Sequence, residues 1–166
     1  MSEKKISKKK KAFLFIISIF IPLAVGGLSS LLVPNMKNLY DSLKKAWFSP
    51  PVFVFPIVWT ILYILMGIAC YMVYIKKYEG IDVSSAIFVY NIQLILNLLW
   101  TFMFFGFRLY GLAFIELIVL FLFVVLTCVR FYKKAGKKPA LLLVPYIVWL
   151  IYAGVLNYFV WMLNEM

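Results

Sequence analysis

Histidine is absent from this sequence of 166 residues, and cysteine occurs only twice, as Cys70 and Cys128. Without an imidazole, the chain lacks the usual general base near neutral pH. Both cysteines fall in or near apolar runs, where a lone thiol behaves as a small hydrophobic side chain. No Cys or His cluster has the spacing of a metal site. We therefore expect no metal centre and no required cofactor.

Charged residues are also scarce, at 14%, whereas 66% of the residues are hydrophobic and the mean hydropathy is +1.01. A soluble domain is roughly 45–50% apolar, and about 20 consecutive apolar residues span a bilayer as a helix. The runs that meet this length are Ala12–Val33, Pro51–Ile75, Ser85–Gly106, Leu109–Phe131 and Ala140–Leu163. The sequence therefore predicts an all-α membrane protein in which residues 12–166 form a bundle of five transmembrane helices. A cleavable signal peptide is the alternative for the first run, which is long and has no clear A-x-A site.

Lysine and arginine are distributed unequally between the two ends of the predicted bundle. Thirteen of the 17 fall at one end, in the basic tail 1–11 and in the loops near Lys76 and Arg130. Because short loops rich in Lys and Arg stay in the cytoplasm, we expect the tail and the N-terminus to be cytoplasmic. These residues flank spans and build no separate domain, so they predict contact with the lipid bilayer and no nucleic-acid partner.

Polar side chains gather on one face of the third predicted span. Gln93, Asn97, Trp100 and Thr101 stand at i, i+4, i+7 and i+8, which places two amides, an indole and a hydroxyl on one side of a helix. In lipid, such a face must point into the bundle. Its amides either hold helices together by hydrogen bonds or form one wall of a ligand pocket.

Aromatic stripes mark two further spans. The second span carries Trp59 and Tyr63, and the fifth carries Tyr146, Trp149, Ala153 and Asn157, at helical steps of three or four residues. Tryptophan near the end of a span often belongs to the interfacial belt. Trp149 lies about ten residues into its predicted span, roughly at mid-bilayer, so the belt does not explain it.

One acidic residue, Glu116, falls within an apolar span. An ionised carboxylate at the bilayer centre costs about 2.5–3.5 kcal/mol, so we expect Glu116 to be protonated or paired. Two interpretations stay open. The residue serves helix pairing, or it binds protons in a small proton-coupled multidrug or metabolite transporter.

The segment LYDSLKKAWFSPP, residues 39–51, is longer and more aromatic than a turn between two spans requires. Asp41 would cap a helical turn, DSLKKAW, that presents Tyr40, Leu43 and Trp47 on one side. The segment predicts either a partly helical lid across the mouth of the bundle or an amphipathic turn that lies on the headgroups.

Two pairs of residues support the lid interpretation. Pro50 and Pro51 restrict the backbone, so the start of the second helix is stiff. Lys44 and Lys45 stand where an acidic ligand would enter. Both features are expected of a segment that closes a pocket.

Several of these stretches together resemble the TspO/MBR family, the translocator proteins once called peripheral benzodiazepine receptors. LYDSLKKAWFSPP resembles the family's first-loop motif, QLILNLLW with FFG (93–106) its third-helix elements, and VPYIVWLIYAGVLNYFVW (144–161) its last helix. The chain departs from the family at Leu39 and Phe48, where tryptophan is common, at Ala46, where proline is common, and at Glu116, where the usual acid is aspartate.

The resemblance implies a ligand pocket among five helices, covered by the first loop. It implies porphyrin or tetrapyrrole ligands such as protoporphyrin IX and haem, and benzodiazepine-type ligands, with a role in their transport, sensing or light-dependent oxidative breakdown. Trp59 and Trp149 match the indoles proposed as catalytic redox participants. The implied pocket residues are Trp47, Phe48, Pro50, Pro51, Tyr63, Gln93, Asn97, Trp100, Tyr146, Ala153 and Asn157. The family habit also implies a homodimer.

Two absences narrow the expected ligand and source. No basic residue follows Tyr158, so the cholesterol motif proposed for animal members, itself a weak pattern, is missing. We therefore expect a bacterial or archaeal member in a prokaryotic cell membrane, without sterol binding. Because there is no histidine, strong axial ligation of haem iron is not expected, and metal-free porphyrin is the preferred ligand.

Overall fold

The computed structural model describes residues 6–166 and contains in that range only helices, turns and irregular segments. The helices are α1 (Lys8–Leu32), α2 (Met36–Ser42), α3 (Val54–Tyr74), α4 (Ser84–Thr101), α5 (Tyr110–Ala135), α6 (Lys137–Leu141) and α7 (Val144–Asn164). A 3-10 turn, Ile75–Glu79, continues α3, and a π-helical turn, Phe102–Gly106, continues α4.

Five stretches are long and apolar enough to cross a membrane. They are Lys8–Leu32, Val54–Glu79, Ser84–Gly106, Tyr110–Ala135 and Lys137–Asn164. The prediction of an all-α membrane bundle with five spans is confirmed. In lipid, helices satisfy their own backbone hydrogen bonds, which is why these apolar runs take this form.

The observed helix boundaries differ from the predicted ones by a few residues. α1 begins at Lys8 rather than Ala12, because the Ser7 hydroxyl accepts a hydrogen bond from the Lys10 N–H at 3.3 Å and caps the helix. Part of the predicted basic tail is therefore helical, and its residues 1–5 lie outside the described range. α3 begins at Val54 rather than Pro51, since residues 51–53 form a turn.

The close packing of α1 against α3 depends on Gly67. A Cβ atom at Gly67 would lie 2.5 Å from the Cα atom of Ile19 and 2.6 Å from the Ser18 carbonyl oxygen. Only glycine allows two helix backbones to approach this closely, a common arrangement in membranes. α1 otherwise exposes large apolar side chains such as Phe13, Ile16 and Phe20, at 61–65%, as expected of a helix that faces lipid.

Two apolar clusters lie inside the bundle and hold the polar face of α4 in place. The larger cluster joins α3, α4, α5 and α7 around fully buried side chains such as Met66, Tyr90, Phe131 and Tyr146. The smaller cluster lies at the other end of α4 and consists of Leu43, Phe104, Tyr110, Ala113 and Val160. Contact with both clusters fixes the rotation of α4, so its amides point inward.

The connection between α1 and α3 is partly helical, as predicted, but the predicted position of its helical turn is wrong. The helix is Met36–Ser42, and Asp41 lies in its last turn instead of capping a turn over DSLKKAW. Pro34 and Asn35, whose φ of 70° is left-handed, end α1 and start α2 early. From Leu43 to Phe53 the chain is irregular, with turns at residues 47–48 and 52–53.

Candidate functional site

Residues 43–53 form an irregular segment with no β-structure, which we call the lid strand. It runs along α7 toward the interior of the bundle. The Lys44 N–H donates to the side-chain oxygen of Asn164 at 3.1 Å, near the end of α7. Farther along, the ring of Phe48 lies 5.4 Å from that of Phe159. The Tyr152 hydroxyl donates to the Phe48 carbonyl oxygen at 3.0 Å. The lid strand thus packs along one side of α7.

Tyr40 fastens the lid strand to α2. Its hydroxyl donates to the Pro50 carbonyl oxygen at 2.8 Å, and the Lys45 ammonium lies 4.3 Å from its ring centroid. Burial raises the pKa of the Tyr40 hydroxyl above its ordinary value, so it stays a donor throughout the physiological range. The turn after Pro51, whose carbonyl oxygen accepts from the Val54 N–H at 3.0 Å, then starts α3.

The predicted apolar underside of the lid is only partly correct. Tyr40 and Leu43 are buried, with 6% and 9% of their surfaces exposed, but Trp47 is 95% exposed. The Trp47 ring packs edge-to-face on Phe48 at 5.6 Å, so Phe48 is the inward aromatic side chain. Trp47 and Phe48 form a turn, in which the Ser49 N–H donates to the Ala46 carbonyl oxygen at 3.0 Å. The predicted helix over DSLKKAW is absent there, so the side chain of Trp47 does not share a face with Tyr40 and Leu43.

Four predicted site residues form a closed cluster that joins α3, α4 and α7. Trp59 stacks on Tyr63 at 5.5 Å and meets Tyr146 edge-to-face at 5.9 Å. The Tyr63 hydroxyl donates to the Asn97 side-chain oxygen at 2.6 Å. The Asn97 amide nitrogen donates to the Tyr146 hydroxyl oxygen at 3.1 Å. We call these four residues the aromatic amide cluster.

Unpaired polar atoms lie near this cluster. The Gln93 amide donates to the sulfur of Met66 at 3.9 Å, but its Oε1 atom has no partner among the described residues. The Trp149 Nε1–H and the Tyr90 hydroxyl are likewise buried and unpaired. Each such atom costs roughly 1–3 kcal/mol. Natural proteins rarely keep several without a reason, and a polar ligand is one.

Trp149 connects the interior to the lid. Its ring lies 5.9 Å from that of Phe55, in the first turn of α3, and Phe55 in turn lies 5.0 Å from Tyr40. Trp59 stands one helical turn after Phe55. The two predicted redox tryptophans therefore flank the same turn of α3, just inside the lid strand.

Trp100 and Asn157 belong to a different part of the bundle. The Trp100 Nε1–H donates to the Asn157 side-chain oxygen at 3.0 Å, and the Asn157 amide donates to the Tyr110 carbonyl oxygen at 2.8 Å. Trp100 also stacks on Phe104 at 5.0 Å. Every polar atom of this pair is engaged, which is the arrangement expected of a helix-holding role. Ala153, 7% exposed, lies on α7 between Trp149 and Asn157.

Glu116 lies in α5 with 7% of its surface exposed. Neither carboxyl oxygen has a hydrogen-bond partner among the described residues. The ion pair found in that range is Lys76–Glu79, in the turn after α3. The expectation that Glu116 is paired is therefore not met, and only the expectation of a protonated side chain is compatible with this environment.

Two open cavities occur away from the predicted residues. One, of about 620 Å³, lies beside α2 and the turn after α4. The other, of about 350 Å³, is an apolar groove between α5 and α7. None of the predicted site residues lines either cavity.

The sequence reasoning missed the last residues of the chain. The Asn164 amide donates to the Lys44 carbonyl oxygen at 2.9 Å. The Glu165 carboxylate accepts from the N–H groups of Tyr110 and Gly111 at 3.0 and 2.8 Å, at the N-terminus of α5, where a negative charge is favourable. We call Asn164 and Glu165 the C-terminal clasp. The sequence did contain a signal for these contacts, because two polar residues directly follow the last apolar span.

The geometry defines an integral, multi-pass membrane protein with a tryptophan-rich interior covered by a segment between its first two spans. Within residues 6–166 no group of three or more His, Cys, Asp or Glu side chains is placed to hold a metal ion. The chain belongs to the TspO/MBR family, whose model matches residues 18–162.

Its relatives include proteins from bacteria, from Archaeoglobus fulgidus and from animals. The tryptophan-rich protein TspO of Chlorobaculum tepidum is 35% identical over 156 residues, which cover 93% of this chain and 98% of that protein. A tryptophan-rich sensory protein of Cereibacter sphaeroides is 38% identical over 125 residues, 75% and 76% of the two chains. The human translocator protein is 35% identical over 128 residues, 76% and 75% of the two chains.

Proposed function

We propose that the protein binds porphyrin-type tetrapyrroles, and smaller benzodiazepine-type aromatics, between α3, α4 and α7 beneath the lid strand. The aromatic amide cluster carries this proposal, together with the unpaired Trp149 Nε1–H and Gln93 Oε1 beside it. Ligand sites are mostly apolar and aromatic, with a few convergent polar atoms. This part of the bundle has that composition.

The chemistry of a porphyrin suits these surfaces. A porphyrin is a broad, flat, apolar disc that stacks on indole and phenol rings, and its two propionates require cations or hydrogen-bond donors at the rim. Lys44 and Lys45 stand on the lid strand at the outer edge of the site. With no histidine in the sequence to bind iron strongly, protoporphyrin IX is the ligand that we favour over haem.

Entry of such a ligand requires the lid strand to move. Its Phe48 ring packs on Phe159 of α7, and Phe55, which follows the strand in the first turn of α3, packs on Trp149. Hydrogen bonds from Tyr40 and Tyr152 to carbonyl oxygens of the strand hold it in place. Each hydrogen bond contributes roughly 0.5–1.5 kcal/mol. The free energy lost on opening is therefore small enough for the contacts of a large apolar ligand to replace it.

Three roles for the bound tetrapyrrole follow from the family: transport, sensing and light-dependent oxidative breakdown by oxygen. In the last role, Trp59 and Trp149 act as redox participants, since both flank the site inside the lid. The membrane is a prokaryotic cell membrane with the N-terminus in the cytoplasm, and a homodimer is the proposed assembly.

The test is a titration of the purified protein in detergent with protoporphyrin IX, in the dark and then under light with oxygen. We expect saturable quenching of tryptophan fluorescence in wild type, and bleaching of the porphyrin that collapses in Trp59→Phe/Trp149→Phe. Trp47→Phe is the matched control, because that indole is 95% exposed.

The outcomes separate the roles. Binding with bleaching that the double variant leaves unchanged removes the breakdown role and leaves transport or sensing. The absence of saturable binding by wild type contradicts the proposal itself.

Glu116 supports a second function, a small proton-coupled transporter. Its buried carboxyl group with no partner among the described residues is the kind of site that takes up and releases protons inside a membrane. Glu116→Gln has nearly the same shape and cannot ionise, so it should abolish pH-driven efflux of a cationic dye from proteoliposomes. Efflux at the wild-type rate in this variant rules out the function.

A further inference from the structure

The cavity of about 620 Å³ lies at the end of the bundle where α1 and α4 finish. Its apolar part is formed by Leu32, Val33 and Phe105, and its polar part by Asn35, Asn38 and Arg108. None of these residues belongs to the site proposed above. The cavity therefore requires an explanation of its own.

The position of the cavity matches the boundary between hydrocarbon and headgroups. Two spans end at its wall, Lys8–Leu32 and Ser84–Gly106, and its polar residues follow directly after those ends. Below it, Leu31 and Leu32 are 80% and 54% exposed and face the region of lipid chains. A ligand that occupies the cavity thus has one apolar end and one polar end.

The backbone is strained at both polar corners of the cavity. Asn35 has a φ of 70° and Arg108 a φ of 57°. They are the two residues other than glycine with a left-handed backbone in the described range. Asparagine tolerates this conformation, whereas arginine adopts it rarely and at a cost. Such strain is concentrated at functional sites.

Arg108 is also the charged residue of this cavity without a counterion. Among the described residues, no carboxylate lies within ion-pair distance of it, and the lining contains no acidic side chain. The nearby carboxylate of Glu165 is engaged by two N–H groups of α5. The side-chain amides of Asn35 and Asn38 have no hydrogen-bond partner in the described part of the chain and remain available to a ligand.

From these observations we infer that the cavity binds the phosphate group of an anionic membrane lipid, with Arg108 as its main ligand. A guanidinium group binds phosphate through two parallel hydrogen bonds, and the amides of Asn35 and Asn38 supply further donors. The glycerol and acyl chains then lie on the apolar wall toward α1. A free phosphate anion offers the same chemistry to the polar corner alone.

The test uses the purified full chain in detergent and counts bound lipid by native mass spectrometry. The probe is dioleoyl phosphatidylglycerol, and dioleoylglycerol, which has the same chains and no phosphate, is the comparison lipid. We expect saturable binding of the phospholipid, weakened about tenfold in Arg108→Gln, since a charged hydrogen-bonding partner is lost. Arg130→Gln removes the other arginine, at the opposite end of α5, and should bind as wild type does.

A second variant separates binding from folding. Arg108→Gly removes the guanidinium group and also the backbone strain, because glycine accepts a positive φ. It should therefore melt no lower than wild type and still lose the phospholipid. Millimolar inorganic phosphate added alone identifies the source. If phosphate displaces the phospholipid and raises the melting temperature as much as the phospholipid does, the site binds a free anion. If phosphate changes neither lipid binding nor melting, the site binds lipid.

Two outcomes overturn the inference. One is phosphatidylglycerol binding to Arg108→Gln and Arg108→Gly with the wild-type affinity. The other is equal binding of dioleoylglycerol, which would show that the acyl chains alone are recognised.

Discussion

Asn97 illustrates how much one side chain decides inside a membrane bundle. Its amide accepts from Tyr63 of α3 and donates to Tyr146 of α7, so a single residue of α4 satisfies two hydroxyls on two other helices. An amide supplies both an acceptor and two donors, which a hydroxyl or a carboxylate cannot do in this geometry. The two tyrosine partners of Asn97 therefore explain why an amide side chain stands at this position.

Gly67 matters because it has no side chain. Any side chain at this position would clash with the backbone of α1. Gly67→Ala should lower the free energy of unfolding by about 1–3 kcal/mol, the usual cost of overpacking, since its Cβ would lie 2.5 Å from the Ile19 Cα atom. Thermal melting in detergent measures the effect. Gly27→Ala is the matched control: its Cβ meets nothing within 4 Å, so its melting temperature should stay equal or rise. Equal melting of Gly67→Ala and wild type would contradict the close approach of α1 and α3.

At the scale of elements, the segment between α1 and α3 is held at both ends. The Tyr40 hydroxyl of α2 holds the far end at Pro50, and the C-terminal clasp holds the lid strand at Lys44, where it leaves α2. The clasp also caps α5, so the last residues of the chain join two elements that are far apart in sequence. We therefore expect the proposed opening of the lid strand to be coupled to the order of the last residues of the chain.

Removing the clasp should loosen the lid strand without unfolding the bundle. Asn164→Ala deletes two hydrogen bonds to the Lys44 backbone, each worth about 1 kcal/mol. Backbone amides of residues 44–49 should then exchange with deuterium roughly tenfold faster, as followed by hydrogen-exchange mass spectrometry. Met166→Ala, at an exposed terminal residue, is the control. Unchanged exchange in Asn164→Ala would mean that the tyrosine hydroxyls alone hold the strand.

At the scale of the whole molecule, charge is separated between the two ends of the bundle. Lys76, Lys77 and the run Lys133–Lys138 lie at the end where α3 and α5 finish, whereas Asn164 and the lid strand lie at the opposite end. Because short loops rich in Lys and Arg stay in the cytoplasm, we expect this separation to orient the protein in a membrane. It also places the proposed lipid phosphate on the far side from the N-terminus.

The orientation is directly measurable. Alkaline phosphatase fused after Met166 should be active, because five spans bring the C-terminus outside when the N-terminus is cytoplasmic, whereas the same enzyme fused after Lys138 should be inactive. Green fluorescent protein serves as the control, because it should fluoresce when fused after Lys138 and stay dark when fused after Met166. The opposite pattern of activities would show that the lysines do not set the topology.

The sequence by itself determined the number of spans, the inward face of α4 and the family. Spans are readable because lipid demands about 20 apolar residues in one helix, and the stripe of Gln93 and Asn97 is readable because helical spacing is regular. It also predicted that the segment between the first two spans is partly helical, from a capping residue and helical spacing, although the helix lies earlier, at Met36–Ser42. These are local signals, each contained in a short stretch of chain.

Only the tertiary structure decided which of those side chains meet. Tyr63 and Asn97 are 34 residues apart, and Trp100 and Asn157 are 57 apart, so no local pattern assigns them to two separate groups. The direction of Trp47 depends on a turn at Trp47 and Phe48, in a segment that is held at Lys44 by Asn164, 120 residues away in sequence. Contacts between distant residues depend on how helices rotate and pack, and that information is distributed over the whole chain.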